Sequence, residues 1–115
     1  MGNPLQITFR DMASSPALIA KIEGRFRKLE RHCGRLTSCR VVIQAPHKSQ
    51  QKGGLFTVTV DLTAPGIEIL ASRDPGRNHA HEDAYVAVRD AFDAVERRLE
   101  EEIRRRREMS RAVGA

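Results

Sequence analysis

The side chains best equipped for chemistry lie in one short run, His79-Ala80-His81-Glu82-Asp83, and in two long basic segments. Two imidazoles at i and i+2 beside two carboxylates are ligand types that suit zinc or a related metal. Such a site also needs its ligands to converge, and acidic residues at a helix start already suit the helix dipole. The run therefore predicts a loop leading into a helix, and no tightly held metal. Cys33 and Cys39 have no second pair beside them, which is poor spacing for zinc, so they read as structural thiols. The chain carries no Ser-His-Asp set, phosphate-binding glycine loop or H-E-x-x-H helix. These residues predict a protein that is not an enzyme, with no catalytic residues, no cofactor and no small-molecule substrate.

The first basic segment is KIEGRFRKLERHCGRL, residues 21–36. At about 100° per residue, Ile22, Phe26 and Leu29 form an apolar stripe. Lys21, Arg25, Lys28 and His32 fall together on one flank of it, Glu23 and Glu30 fall on the other, and Arg27 and Arg31 point outward. Sorting by side predicts a basic edge built to lie against an anion. Long basic side chains also run along the flank of many packed helices, which is the plainer account. Lys21, Arg25 and Lys28 stand off the apolar stripe, so exchanging them predicts little change in stability.

The second segment is ERRLEEEIRRRR, residues 96–107. Glu100, Glu101 and Glu102 stand four residues before Arg104, Arg105 and Arg106, the favourable order for helix ion pairs. Such pairs contribute only about 0.2–0.5 kcal/mol each, so a self-paired helix and a phosphate-binding surface both stay open. His47, Lys48, Lys52, Arg73 and Arg77 add positive charge in loops.

These residues need a scaffold. Leu5, Ile7 and Phe9 alternate with Gln6 and Thr8, a strand with one buried face. Ser15 and Pro16 open a helix whose stripe is Leu18, Ile22, Phe26, Leu29 and Cys33, with Gly34 as the expected stop. Residues 37–44, 55–63 and 67–72 read as strands, with a turn at 64–66 and loops at 45–54 and 73–81. A long helix runs from about Glu82 to Glu108, with a stripe of Tyr85, Val88, Phe92, Val95, Leu99 and Ile103. The prediction is an α+β fold, β-α-β-β-β-α: a four-stranded mixed sheet with two helices on one face. Residues 1–108 form one domain and 109–115 a disordered tail.

The formal net charge of +5 and the pI of about 9.9 favour an anionic partner. The chain has no apolar run of about 20 residues and no charged-then-apolar start, which predicts neither a membrane span nor a secretion signal. Gln6 stands where a myristoylation signal needs Ser or Thr. With two unpaired thiols, the expected setting is the cytoplasm.

LQITFRD, SPALIAKIEGRFRKLERHCGRLTSCRVVI and DAYVAVRDAFDAVERRLEEEIRRRR together resemble the ribosome hibernation-promoting factors. These are also called ribosome-associated inhibitors, cold-shock Y-type proteins or sigma-54 modulation proteins, and the resemblance covers roughly residues 5–107. It implies a fold similar to double-stranded-RNA-binding domains. It also implies a translation inhibitor that occupies the mRNA and tRNA decoding region of the small ribosomal subunit, excluding both by bulk. The partner would be small-subunit rRNA, and the protein a monomer off the ribosome. On matching positions, the implied RNA-binding residues are Lys21, Arg25, Lys28 and Arg31 in the first helix and Arg89, Arg97, Arg98, Arg104 and Arg105 in the second. The chain departs from the family pattern in three ways. It is expected to lack the C-terminal dimerisation domain of the long forms, the 73–83 loop is longer, and the Glu100–Glu102 run dilutes the positive field. An RNA-binding or protein-interaction module of the same fold that does not act on ribosomes is the other reading.

Overall fold

The computed structural model describes residues 4–45, 56–73 and 83–114. Its elements are β1 (Leu5–Arg10), α1 (Pro16–His32), β2 (Ser38–Gln44), β3 (Thr57–Ala64), β4 (Ile67–Arg73) and α2 (Ala84–Gly114). The strands form one sheet in the order β1-β2-β3-β4. β1 and β2 are parallel, joined through α1; β2–β3 and β3–β4 are antiparallel. This is the α+β arrangement that the order of elements predicts.

The register aligns the apolar residues across the sheet. Leu5, Cys39, Leu62 and Ile69 form one cross-strand row, and Ile7, Val41, Val60 and Ala71 the next. A two-residue side-chain period puts both rows on the same face. Against that face lie Ile22, Phe26 and Leu29 of α1 and Val88, Phe92, Val95 and Leu99 of α2, all buried in one core. The opposite face carries Gln6, Arg40, Asp61 and Leu70 in one row and Thr8, Val42, Thr59 and Ser72 in the next. This mixed face, mostly polar but with Leu70 55% exposed, is the solvated side of the sheet.

Local chemistry sets the element ends. The Ser15 side chain accepts a hydrogen bond from the Leu18 amide at 3.2 Å, and Pro16 occupies the first turn, where no N–H is needed. Asp83 does the same for α2, accepting from the Tyr85 amide at 2.8 Å. The two-residue link Pro65-Gly66 closes the β3–β4 hairpin, with Gly66 at φ 74°, which an L side chain resists.

Three expectations need correction. α1 ends at His32, with the amide of Cys33 bonded to the Leu29 carbonyl at 3.0 Å and its backbone extended. Gly34 is therefore not the stop, and Gly66 is the one glycine with positive φ among the described residues. Tyr85 is 43% exposed rather than part of the core stripe, because the first turns of α2 direct Ala84, Ala87 and Val88 inward. α2 also continues past Glu108 to Gly114. Residues 104–110 are exposed, so strong helix formers and ion pairs, not core packing, carry this stretch. No helix among the described residues is long and apolar enough to cross a membrane.

Candidate nucleic-acid interface

The basic flank of α1 faces α2. The Arg25 guanidinium lies 2.7 Å from Asp93 and 3.2 Å from Glu96. It also sits over the Phe92 ring, 5.8 Å from its centroid, within cation–π range. Lys28 is 3.4 Å from Glu96. His32 Nε2 is 3.3 Å from Glu96 and 3.7 Å from Glu100. Arg25, Lys28 and His32 lie at i, i+3 and i+7, and Asp93, Glu96 and Glu100 have the same spacing on α2. Each set is one face of its helix, and the two faces meet as a seam, with the Arg25 and Lys28 cations and the His32 imidazole against three carboxylates.

Glu96 is the centre of the seam. Its side chain is only 14% exposed, yet three basic groups from α1 approach it. Arg25, at 18% exposure, is nearly as enclosed. A carboxylate this far out of water needs such partners, because desolvation of an unpaired charge costs several kcal/mol. His32, Glu96 and Glu100 also have ligand atoms within 4.8 Å of one another, a geometry that suits a metal ion. Arg25 and Lys28 already neutralise the central carboxylate, so the contacts present make an ion-pair seam.

The other candidates divide. Arg98 donates to the Leu70 carbonyl and Arg106 to the Gly66 carbonyl, so both lie along the outer edge of β4. Arg105 and Arg106 each lie 3.3 Å from Glu102, which makes Glu102–Arg106 an i,i+4 pair of the expected kind. Glu100 instead turns to His32, and Glu101 and Arg104 have no ion pair among the described residues. Arg89 is 3.1 Å from its neighbour Asp90. Lys21, Arg31, Arg97 and Arg104 have no ion pair among the described residues, and the last three are exposed. Arg104 and Arg107 line a recess with His32, Glu100, Ile103 and Glu108, where α2 runs on past the end of α1.

His47, Lys48, Lys52, Arg77, His79, His81 and Glu82 lie outside the described residues. Asp83, the last member of the His79–Asp83 run, is the α2 cap.

Sequence reasoning missed Asp93 and Glu96, and paired Glu100 with Arg104 rather than His32. Their signal was present: the same angular arithmetic puts all three within about 60° of one another on α2. Matching that strip to the basic flank of α1 requires knowing that the helices lie side by side.

A comparison with curated protein sequences finds no match. Among solved structures, the fold is similar to a ribosomal subunit interface protein from Coxiella burnetii. The TM-score is 0.65 at 18% identity, over 84% of this chain and 93% of that one. It is similar also to the Protein Y N-terminal domain of Thermus thermophilus, with TM-score 0.64, 18% identity and the same coverages. The sequence from residue 5 to residue 107 matches the family model described as Sigma 54 modulation protein / S30EA ribosomal protein. With nearly the whole chain matched, and the β-α-β-β-β-α fold in place, the chain belongs to the Sigma 54 modulation protein / S30EA ribosomal protein family.

Proposed function

We propose that this protein binds the small ribosomal subunit through rRNA and inhibits translation by occupying the decoding region, where mRNA and tRNA would lie. The observation that carries the reading is the family match across residues 5–107. The excess of positive charge supports it, since phosphate contacts supply most sequence-independent nucleic-acid affinity. The inhibition is steric: no bond is made or broken, and the rigid two-helix layer acts as the plug. The contact set is Lys21, Arg25, Lys28 and Arg31 on α1 with Arg89, Arg97, Arg98, Arg104 and Arg105 on α2. Within it, Lys21, Arg31, Arg97 and Arg104 have no ion pair to give up among the described residues, so they meet phosphate first. The site of action is the cytoplasm.

Sedimentation through a sucrose gradient tests this. The protein is expected to travel with small subunits or whole ribosomes at low salt and to lower the yield of a cell-free translation reaction. A protein that stays at the top of the gradient and leaves translation unchanged rules the reading out.

A further inference from the structure

The seam between the helices has a consequence for binding. We propose that Glu96 is an internal stand-in for a phosphate, whose hold on Arg25, Lys28 and His32 sets how strongly the α1 flank takes an RNA backbone. The inference rests on the RNA-binding reading and concerns the control of that same surface.

The geometry supports competition rather than a closed clamp. Both contacts of Arg25, to Asp93 and to Glu96, are made through Nη2. A guanidinium has five N–H donors in a fixed fork, so its other edge retains donors that fit a phosphate. Lys28 is half-exposed and has three donors. Lys21 continues the same flank without an ion pair among the described residues. An approaching phosphate therefore meets Lys21 directly, and it meets Arg25 and Lys28 already partly neutralised. Opposite the flank stand Asp93, Glu96 and Glu100; of these, Glu96 is the least exposed and touches all three basic groups. A carboxylate and a phosphate oxygen make the same charge-assisted bonds, so each contact to Glu96 subtracts from what an RNA can gain. Removing the Glu96 charge releases Lys28 and leaves Arg25 with Asp93 alone, whereas removing an acidic charge off the seam only raises the net charge.

The test compares Glu96→Gln with Glu30→Gln. Both changes add one positive charge, but Glu30 lies on the opposite flank of α1. Binding to a 16-base-pair RNA duplex and to purified ribosomes is measured at several salt concentrations, with melting curves for each variant. Glu96→Gln is expected to bind the duplex more tightly than Glu30→Gln, with a salt slope steeper by about one to two units. At about 0.9 log units per phosphate, its advantage grows about threefold per freed cation between 200 and 50 mM salt. Adding Lys28→Gln to Glu96→Gln should return the slope most of the way to the parent, because Lys28 loses its one ion pair while Arg25 keeps Asp93. The half-exposed Glu100→Gln, which leaves Arg25 and Lys28 paired, serves as a second variant if Glu96→Gln melts too low. It should shift the slope in the same direction by less. Equal affinity and slope for Glu96→Gln and Glu30→Gln, or weaker binding by Glu96→Gln, overturns the proposal and makes the seam a structural clamp. Failure of every variant to bind the duplex also overturns it. Duplex binding that behaves as expected while ribosomes are ignored removes the proposed function but leaves the role of Glu96 standing.

Discussion

Arg25 carries the sharpest contrast between what its position in the sequence suggests and what its side chain does. Off the apolar stripe, it reads as an exposed cation whose loss would leave stability unchanged. In the fold it reaches two carboxylates and an aromatic ring. Arg25→Gln should therefore lower stability by about 1–3 kcal/mol, the usual cost of a hydrogen bond to a charged group. Lys21→Gln should stay within about 0.5 kcal/mol. Thermal melting of the two variants checks this, with about 4 °C or more expected per kcal/mol; equal melting points would mean that the seam does not form in solution. Cys39 gives a second test. It is fully buried, and its thiol is pushed up to about 12, first by burial and second by the Asp61 carboxylate. Half-buried Cys33 should react with iodoacetamide at about pH 8, and Cys39 only after denaturation. The folded pKa lies above the ordinary value of 9.0. The stabilisation is thus complete below about pH 9 and is lost as the pH rises towards 12.

At the level of elements, alternation and helical spacing were enough to place each strand and helix, because each buries one face of fixed period. Ser15, Pro16 and Pro65-Gly66 also did in the structure what their types imply. The ends were harder to read. Gly34 looks like a helix stop, but Cys33 leaves the helix first and closes it with its own amide. α2 continues past Glu108 although residues 104–110 are exposed, so no apolar stripe marks this extension in the sequence. Two glycines separate these effects. A Cβ built on Gly24 in α1 meets only the tip of Arg27, at 4.0 Å, so Gly24→Ala should stabilise by about 0.5–1 kcal/mol. At Gly66, φ is 74° and a Cβ would come within 3.0 Å of Arg106. Gly66→Ala should cost about 1–3 kcal/mol, by backbone strain and by displacing the arginine from the β4 edge. Opposite signs in urea denaturation are expected; the same sign for both would contradict the hairpin or the α1 geometry.

For the whole molecule, a net charge of +5 does not say where the charge is free. The fold withdraws part of it: Arg25 and Lys28 are answered by α2, Arg98 and Arg106 serve the edge of β4, and Arg105 shares Glu102. Of the nine candidate contacts, those without an ion pair or a backbone partner among the described residues are Lys21 and Arg31 on α1 with Arg97 and Arg104 on α2; exposed Arg10, Arg27, Arg35 and Arg107 are unpaired there as well. Sequence could name every basic residue but could not divide them in this way, since the division depends on tertiary neighbours. If phosphate binding follows the free charge, changing Lys21, Arg31, Arg97 and Arg104 together to Gln should flatten the salt dependence of ribosome binding by about three to four units. Folding should hold, because none of the four has an ion pair among the described residues and Arg31, Arg97 and Arg104 are exposed. The matched comparison, also of four charges, changes Arg25, Arg98, Arg105 and Arg106 to Gln. It should flatten the slope less and lower the melting temperature more, as these arginines hold Asp93, Leu70, Gly66 and Glu102. A reversed order, with the second set dominating the slope, would show that RNA pulls the arginines off these partners and that binding follows total charge rather than the charge the fold leaves free.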